Sequence, residues 1–269
     1  RRLLARGMRR TMQQLTIFDR GGNVVTRLGE VGSYSQAAFS PDGSRIVVVK
    51  NDPDTDGRDI WVFDIATGRN TAITSDAPPD SAPVWSPDGT QIAYVSDRDR
   101  TNAIYKRAAN GTGAEELVYT HTSGSSLILT DWSADGRFIC FWSGETMFVL
   151  PLTGERKPIE LGRERGGRFS PDNRLVAFNS NQSGPFQVYV KDLTEATRQP
   201  GAGGPAVQST QISNGPSVGG IFWRRDGKEL FYISLQGGQG MMAVDVLRDA
   251  PFRKSEPKLL FKLPTPILA

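Results

Sequence analysis

A short phrase recurs five times along the 269-residue chain and constrains its fold more than any other feature. Each copy has an aromatic residue, a turn sequence close to Ser-Pro-Asp-Gly and then an apolar run; the copies are FSPDG at 39–43, WSPDG at 85–89, WSADG at 132–136, FSPDN at 169–173 and WRRDG at 223–227. Their aspartates are 46, 47, 37 and 54 residues apart. A period of about 40–50 residues is typical of one four-stranded blade of a β-propeller.

The repeated phrase has the chemistry of a tight turn. Proline presets φ for the second position of a type I turn, aspartate suits the third, and glycine or asparagine tolerates the left-handed conformation that follows. β-branched and aromatic runs follow each copy, as at 45–49 and 91–95. We therefore predict an all-β fold in which each copy joins the first two strands of a blade. The aspartates placed in these turns are Asp42, Asp88, Asp135, Asp172 and Asp226.

The start of the chain predicts half of a further blade. Residues 15–19 and 23–27 have the pattern of third and fourth strands, with no inner strands before them. Together with five complete four-stranded blades, this half blade predicts a six-bladed propeller. The missing inner strands would have to come from the N-terminal residues, from the C-terminal tail or from chain beyond it, because an open strand edge invites aggregation. We assign residues 1–12 to a basic arm, 13–262 to the propeller and 263–269 to a tail.

Positive charge is concentrated at one end of the chain. The stretch RRLLARGMRR contains no acidic residue and five arginines, Arg1, Arg2, Arg6, Arg9 and Arg10; without them the chain has 27 basic and 29 acidic side chains. A nucleic-acid-binding domain would spread Lys and Arg over a face, so we exclude nucleic acid as a partner. The arm is either a frayed terminus or a contact with an anionic membrane surface or an acidic partner.

The repeat resembles that of TolB-like, WD40-like (PD40) propellers over about residues 13–262. Phrases such as DIWVFDIATG and WRRDGKELFYIS are similar to propellers attached to bacterial membrane-tethered Ser/Thr kinases and winged-helix regulators. The resemblance implies a non-catalytic interaction or scaffold module in a periplasmic or otherwise extracytoplasmic location, as an accessory subunit of a membrane complex. The alternatives are a ligand-sensing domain of a membrane-bound kinase or regulator, and a hydrolase-like propeller enzyme. Since the chain begins at Arg1, we expect a mature or trimmed product.

One loop has the alternating carboxylates of a calcium site. Asp52, Asp54 and Asp56 precede Gly57, but the twelfth position of an EF-hand frame is Phe63. The ninth position, which propeller calcium loops of integrin type require to be acidic, is Ile60. We therefore expect calcium to bind weakly or not at all, and we expect no other cofactor.

Other chemically active residues have structural interpretations. We expect the sole histidine, His121, to be an exposed loop residue, and we predict no catalytic triad. Trp85, Trp132 and Trp223 occupy the repeated aromatic position, which predicts core packing.

The residues before the repeated aromatics should lie near the mouth of the central channel, where two of them are charged. These two are Asp131 and Arg168, in neighbouring blades. They could form a structural ion pair, which we favour, or a ligand-recognition pair.

Overall fold

The computed structural model describes residues 12–52, 55, 57–75, 79–98, 101–122, 124–193, 208–217, 220–247 and 252–263. These residues form a β-propeller of five antiparallel sheets, numbered here as blades 1 to 5. Blade 1 contains the second part of β2 (Val24–Phe39), β3 (Arg45–Asn51), β4 (Arg58–Asp64) and β5 (Asn70–Ala72), and β1 (Gln13–Phe18) pairs with the first part of β2. Blade 2 contains β6 (Asp80–Trp85), β7 (Gln91–Ser96), β8 (Ala103–Ala108) and β9 (Glu116–Thr120).

The remaining blades repeat this order. Blade 3 contains β10 (Leu127–Trp132), β11 (Phe138–Ser143), β12 (Thr146–Pro151) and β13 (Ile159–Gly162). Blade 4 contains β14 (Arg165–Phe169), β15 (Leu175–Ser180), β16 (Gln187–Asp192) and β17 (Ser209–Gln211). Blade 5 contains β18 (Phe222–Trp223), β19 (Glu229–Ser234), β20 (Gly240–Leu247), β21 (Arg253–Lys254) and β22 (Lys258–Lys262). Because the first strands of consecutive blades contact one another, they line the centre of the ring. Within the described ranges, no helix is long and apolar enough to cross a bilayer.

Every copy of the repeated phrase forms the predicted turn between the first two strands of a blade. In blade 1, the Ser40 hydroxyl donates to Asp42 Oδ1 at 2.5 Å and accepts the backbone N–H of Arg45 at 2.9 Å. The same pair of hydrogen bonds recurs at Ser86, Ser133 and Ser170. The residue after each aspartate has positive φ, as at Gly43 (75°) and Asn173 (57°), which explains the choice of glycine or asparagine. The turn prediction is confirmed.

Blade 5 replaces the serine of this turn by an arginine. Arg224 Nε and Nη2 donate to the two carboxylate oxygens of Asp226, each at 2.7 Å. A bidentate guanidinium–carboxylate pair thus substitutes for the shorter serine bridge.

Apolar faces of neighbouring blades pack together to hold the ring. Trp85 joins a buried cluster with Val47 and Ile60 of blade 1, and its indole N–H donates to the Ala38 carbonyl at 3.1 Å. Trp132 is also buried, in agreement with the predicted core role. Trp223 donates across the blade boundary in the same way, but it is half-buried.

The sixth blade is not confirmed. The predicted half blade is the hairpin of β1 with the first part of β2, and β2 then continues without interruption into blade 1. Leu28 of this hairpin packs with Ile46 and Phe63 of blade 1, so the hairpin extends the first sheet. Its turn meets blade 5, where a Cβ on Gly22 would lie 2.9 Å from the Phe261 ring. The described residues therefore form five blades. We call the side of the ring between blades 5 and 1 the seam.

Candidate functional site

Asp131 and Arg168, predicted as a pair, lie close together near the centre of the ring. Asp131 Oδ2 accepts the backbone N–H of Phe169 at 2.7 Å, whereas its other oxygen lies 3.9 Å from Arg168 Nη1. The same guanidinium donates to the Thr130 carbonyl. Burial raises the pKa of Asp131 to about 6. The carboxylate thus joins β10 to β14, and the ion pair itself is long; whether the pair also recognises a ligand stays a prediction.

An aromatic side chain extends this charged pair toward the seam. The Arg168 guanidinium lies 5.9 Å from the centroid of Phe222, within the range of a cation–π contact. Phe222 is 43% exposed, although it belongs to a strand that lines the ring centre. The wall of the channel therefore combines a cation with an exposed aromatic ring.

A second exposed aromatic residue lies on the other side of the seam. Phe39 has the register position of Trp85, since each pairs with the second residue of the following strand. Trp85 is 7% exposed, because blade 1 covers it, whereas Phe39 is 56% exposed. The repeat alone did not reveal this difference, because exposure depends on what the preceding blade supplies. In the sequence, no complete blade precedes the first copy of the phrase. That observation could have indicated that the aromatic residue of this copy is exposed.

Most residues of the other two predicted sites lie outside the described residues. This applies to the arm arginines, Arg1, Arg2, Arg6, Arg9 and Arg10, and to Asp54 and Asp56 of the calcium loop. Asp52 is described: its carboxylate accepts the N–H of Thr55 at 3.3 Å, and its own N–H donates to the Gly57 carbonyl. Across the described ranges, no group of three or more His, Cys, Asp or Glu side chains could hold a metal ion. Weak or absent calcium binding stays a prediction.

His121 is half-buried and not exposed as expected. Its Nε2 lies 2.8 Å from Ser143 Oγ, and its ring packs near Tyr119 and Phe141. Burial lowers the pKa of His121, which favours the neutral ring. Because Ser143 is itself buried, its hydroxyl is not presented to a substrate, and the pair has the character of a structural contact between blades 2 and 3.

A Gly-x-Ser-x-Gly sequence, which sequence reasoning missed, occurs at residues 215–219. In α/β-hydrolases this motif forms a strand–turn–helix elbow that exposes the serine. Here Ser217 forms a β-bridge with Ser234, donates its N–H to the Phe186 carbonyl and is buried. In the described part of the motif, residues 215–217, the serine is buried in a β-bridge and is not exposed on an elbow.

Comparison with known proteins agrees with the blade architecture. Residues 22–157 match the family described as PD40, TolB beta propeller domain. The chain belongs to this family. A solved structure of TolB from Acinetobacter baumannii superposes with a TM-score of 0.68 at 19% identity, covering 93% of this chain and 60% of that one.

Other similar proteins include enzymes by title. An oligogalacturonate lyase in complex with manganese has a TM-score of 0.56 at 16% identity, covering 84% of this chain and 69% of that one. The uncharacterized peptidase YuxL of Bacillus subtilis (strain 168) is 31% identical over 90 residues, which is 32% of this PD40 chain and 14% of the peptidase. The likenesses to the two solved structures, at 19% and 16% identity, show the fold alone. The narrower resemblance to kinase-attached propellers stays a prediction.

Proposed function

We propose that this PD40 propeller is a non-catalytic module that binds a protein partner, outside the cytoplasm, as an accessory subunit of a membrane complex. The observation that carries the proposal is the pair of exposed aromatic residues at the seam, Phe39 and Phe222. In the register of the repeat, the counterpart of Phe39 in the next blade is covered by a neighbouring blade.

Leaving such rings exposed to water is unfavourable. Aromatic side chains bury 150–250 Å² each, roughly, and dominate the energetics of interfaces. Phe222 also has the Arg168 guanidinium beside it, and phenylalanine and arginine are both enriched in the cores of protein interfaces. A protein partner that covers the two rings would therefore gain more binding free energy than a partner that contacts an outer strand.

The family supports this proposal further. Membership of the TolB propeller family favours an interaction role and an extracytoplasmic location over catalysis. The function as proposed requires no cofactor.

The test compares seam variants with a matched outer variant. Phe39→Ser combined with Phe222→Ser removes both rings, whereas Leu117→Ser changes a residue that is 50% exposed on the outer strand β9. Each tagged protein is expressed at native level, cross-linked in cells and purified, and the recovered proteins are quantified by mass spectrometry. We expect recovery of a defined partner to fall about tenfold in the double variant, as a loss of about 1.4 kcal/mol implies, and to persist in the control.

Unchanged melting temperatures of the double variant and of Leu117→Ser would show that folding is intact. Equal recovery of the same proteins by the double variant and by Leu117→Ser contradicts the proposal.

A further inference from the structure

One guanidinium contacts two aromatic side chains at the boundary between blades 3 and 4. Arg165 opens β14, and its guanidinium carbon lies 5.2 Å from the centroid of the Trp142 ring and 5.3 Å from that of Phe186. Trp142 belongs to β11 of blade 3, whereas Phe186 directly precedes β16 of blade 4. Both contacts are within the range of a cation–π interaction, so the two rings restrict where the guanidinium can lie.

The blade architecture does not require this arrangement. Arg165 lies four residues before the repeated aromatic residue, a place that Ser35 has in blade 1. Trp142 lies seven residues after the repeated aspartate, where blade 1 has Val49. A serine and a valine thus complete a blade at these two places, and the arginine and the indole distinguish the boundary between blades 3 and 4.

The hydrogen-bond donors of Arg165 are not used by the part of the chain that the structure describes. Its guanidinium forms no hydrogen bond and no ion pair with a described residue, and none of its nitrogens is a buried atom without a partner. Arg165 is half-buried, so these N–H groups reach the solvent. An arginine that stacks on aromatic rings through its faces keeps the donors in its plane available to a ligand.

The neighbouring charged side chains do not neutralise Arg165 by direct contact. Glu164 pairs with Lys191, which is buried. Glu145, in the turn between β11 and β12, is exposed and forms no ion pair with a described residue. Arg163 is exposed as well and adds a second positive charge two residues earlier in the chain.

We propose that Arg165 binds the carboxylate of an aspartate or glutamate side chain supplied by a protein partner. A carboxylate carries one negative charge and presents two oxygens that match the fork of guanidinium donors. Recognition of phosphate groups usually relies on clusters of arginines, whereas a single guanidinium is stacked on the rings here. Phe186 is 37% exposed, so the partner also covers part of an aromatic ring, and exclusion of water strengthens the attraction beside it.

The inference rests on the proposed function for the origin of the carboxylate, because it specifies the chemistry of one group on the partner. The site lies between blades 3 and 4, whereas the seam lies between blades 5 and 1. It can therefore be tested by itself, with a small carboxylate as the probe.

The test is an NMR titration of the ¹⁵N-labelled protein with N-acetyl-aspartic acid α-amide, observed at the arginine Nε–H and tryptophan indole N–H groups. Signals are assigned by their loss in Arg165→Gln, Arg163→Gln and Trp142→Phe. We expect the Arg165 and Trp142 signals to shift and to saturate, and the signal of the exposed Arg163 to change without saturating. N-acetyl-asparagine amide has the same shape without the charge, and we expect it to bind about tenfold more weakly.

Two variants and a second anion sharpen the result. Arg165→Gln removes the guanidinium, and we expect the Trp142 shift to be lost. Arg163→Gln is the matched control, because it removes an exposed arginine for which the structure shows no ring contact, and it should leave the Trp142 titration unchanged. Methyl phosphate replaces the carboxylate in a separate titration, and we expect it to bind more weakly. If Arg165→Gln fails to fold, the comparison of the three ligands on the unmodified protein decides alone.

Equal responses of Arg163 and Arg165, equal binding of the aspartate and asparagine amides, or tighter binding of methyl phosphate overturns the inference. A positive titration alongside equal partner recovery by the seam double variant and its control upholds the carboxylate site and rejects the proposed function. Absence of a saturable response at Arg165, with partner recovery lost in the seam double variant, rejects the site alone.

Discussion

Serine contributes two hydrogen bonds to each of the first four turns. Its hydroxyl accepts the N–H that opens the second strand and donates to the aspartate carboxylate, as at Ser86 with Gln91 and Asp88. The aspartate in turn accepts the N–H of Thr90 at 3.0 Å. Both polar groups of the turn are therefore satisfied without water, and the start of each second strand is held in place.

Replacing Ser86 by alanine should destabilise the protein. The half-buried N–H of Gln91 loses its side-chain acceptor, and a lost hydrogen bond typically costs about 0.5–1.5 kcal/mol. Urea unfolding should show this decrease in the free energy of unfolding. Ser126→Ala, at an exposed position, is the control and should leave the midpoint unchanged. Equal midpoints for the two variants would contradict the role given to the serine.

Asp131 should make stability depend on pH in the direction opposite to an ordinary ion-paired carboxylate. Burial raises its pKa to about 6 in the folded state, above the unfolded value of 3.8, so the folded protein binds more protons between these two pH values. Its contribution to stability is therefore present below about pH 4 and is lost as the pH rises through about 6. Asp131→Asn removes this titration but keeps an oxygen that can accept the Phe169 N–H.

The midpoints of urea unfolding at pH 4 and pH 7.5 test this sign. We expect the stability of Asp131→Asn relative to the unmodified protein to be greater at pH 7.5 than at pH 4. A constant difference would show that the carboxyl group titrates alike in the folded and unfolded states.

The hairpin formed by β1 and the first part of β2 joins the two ends of the described ring. Arg20 in its turn forms an ion pair with the buried carboxylate of Glu229 at 2.5 Å, and its guanidinium lies 5.6 Å from the Phe231 centroid. Glu229 also binds Arg224 of the fifth repeated turn. The hairpin thus packs on blade 1 through apolar contacts and on blade 5 through charge.

Arg20→Ala should loosen this hairpin without disturbing the other blades. We expect faster amide hydrogen exchange in β1 and unchanged exchange in β11, because the blade 5 contact is lost locally. The hydrogen bond from Arg20 lowers the pKa of Glu229, so this stabilisation is present above the unfolded pKa and is lost as the pH falls. The difference in β1 hydrogen exchange between Arg20→Ala and the unmodified protein should therefore be larger at pH 7 than at pH 3.

Arg27→Ala is the matched control, because Arg27 is exposed on the same hairpin. If both variants accelerate exchange in β1 equally, the ion pair with Glu229 is not what holds the hairpin.

At the scale of the whole molecule, the charge is asymmetric. Residues 1–10 hold five arginines, whereas the rest of the chain has a small excess of acidic side chains. Attraction to an anionic surface would therefore act at the arm and fall with salt over a Debye length of about 8 Å at physiological ionic strength. Such an arm would orient the propeller, and under the proposed function the seam would make the specific contacts.

Deletion of residues 1–10 should weaken binding to anionic liposomes in flotation. We expect the intact protein to float with the liposomes at low salt and to be released as salt rises, and the truncated protein to stay unbound at both. Liposomes of neutral lipid are the control. Unchanged flotation of the truncated protein at low and moderate salt would show that residues 1–10 are not what binds the liposomes.

The amino-acid sequence by itself determined the features that depend on a few neighbouring residues or on their repetition. The turns were predictable because the hydrogen bonds of Ser40 and Asp42 stay within five residues of the chain. The propeller fold followed from the period of the phrase, and the proximity of Asp131 to Arg168 followed from their equivalent places in adjacent blades.

The tertiary structure alone decided what each repeated position meets in the next blade. Phe39 and Trp85 are equivalent in sequence, yet one is exposed and the other buried, because blade 1 covers Trp85. The number of blades also depended on tertiary structure, since pairing on both sides of one strand, β2, merged the predicted half blade with blade 1. Packing across the boundary between two blades depends on two segments that are far apart in sequence. A local sequence pattern describes only one of them.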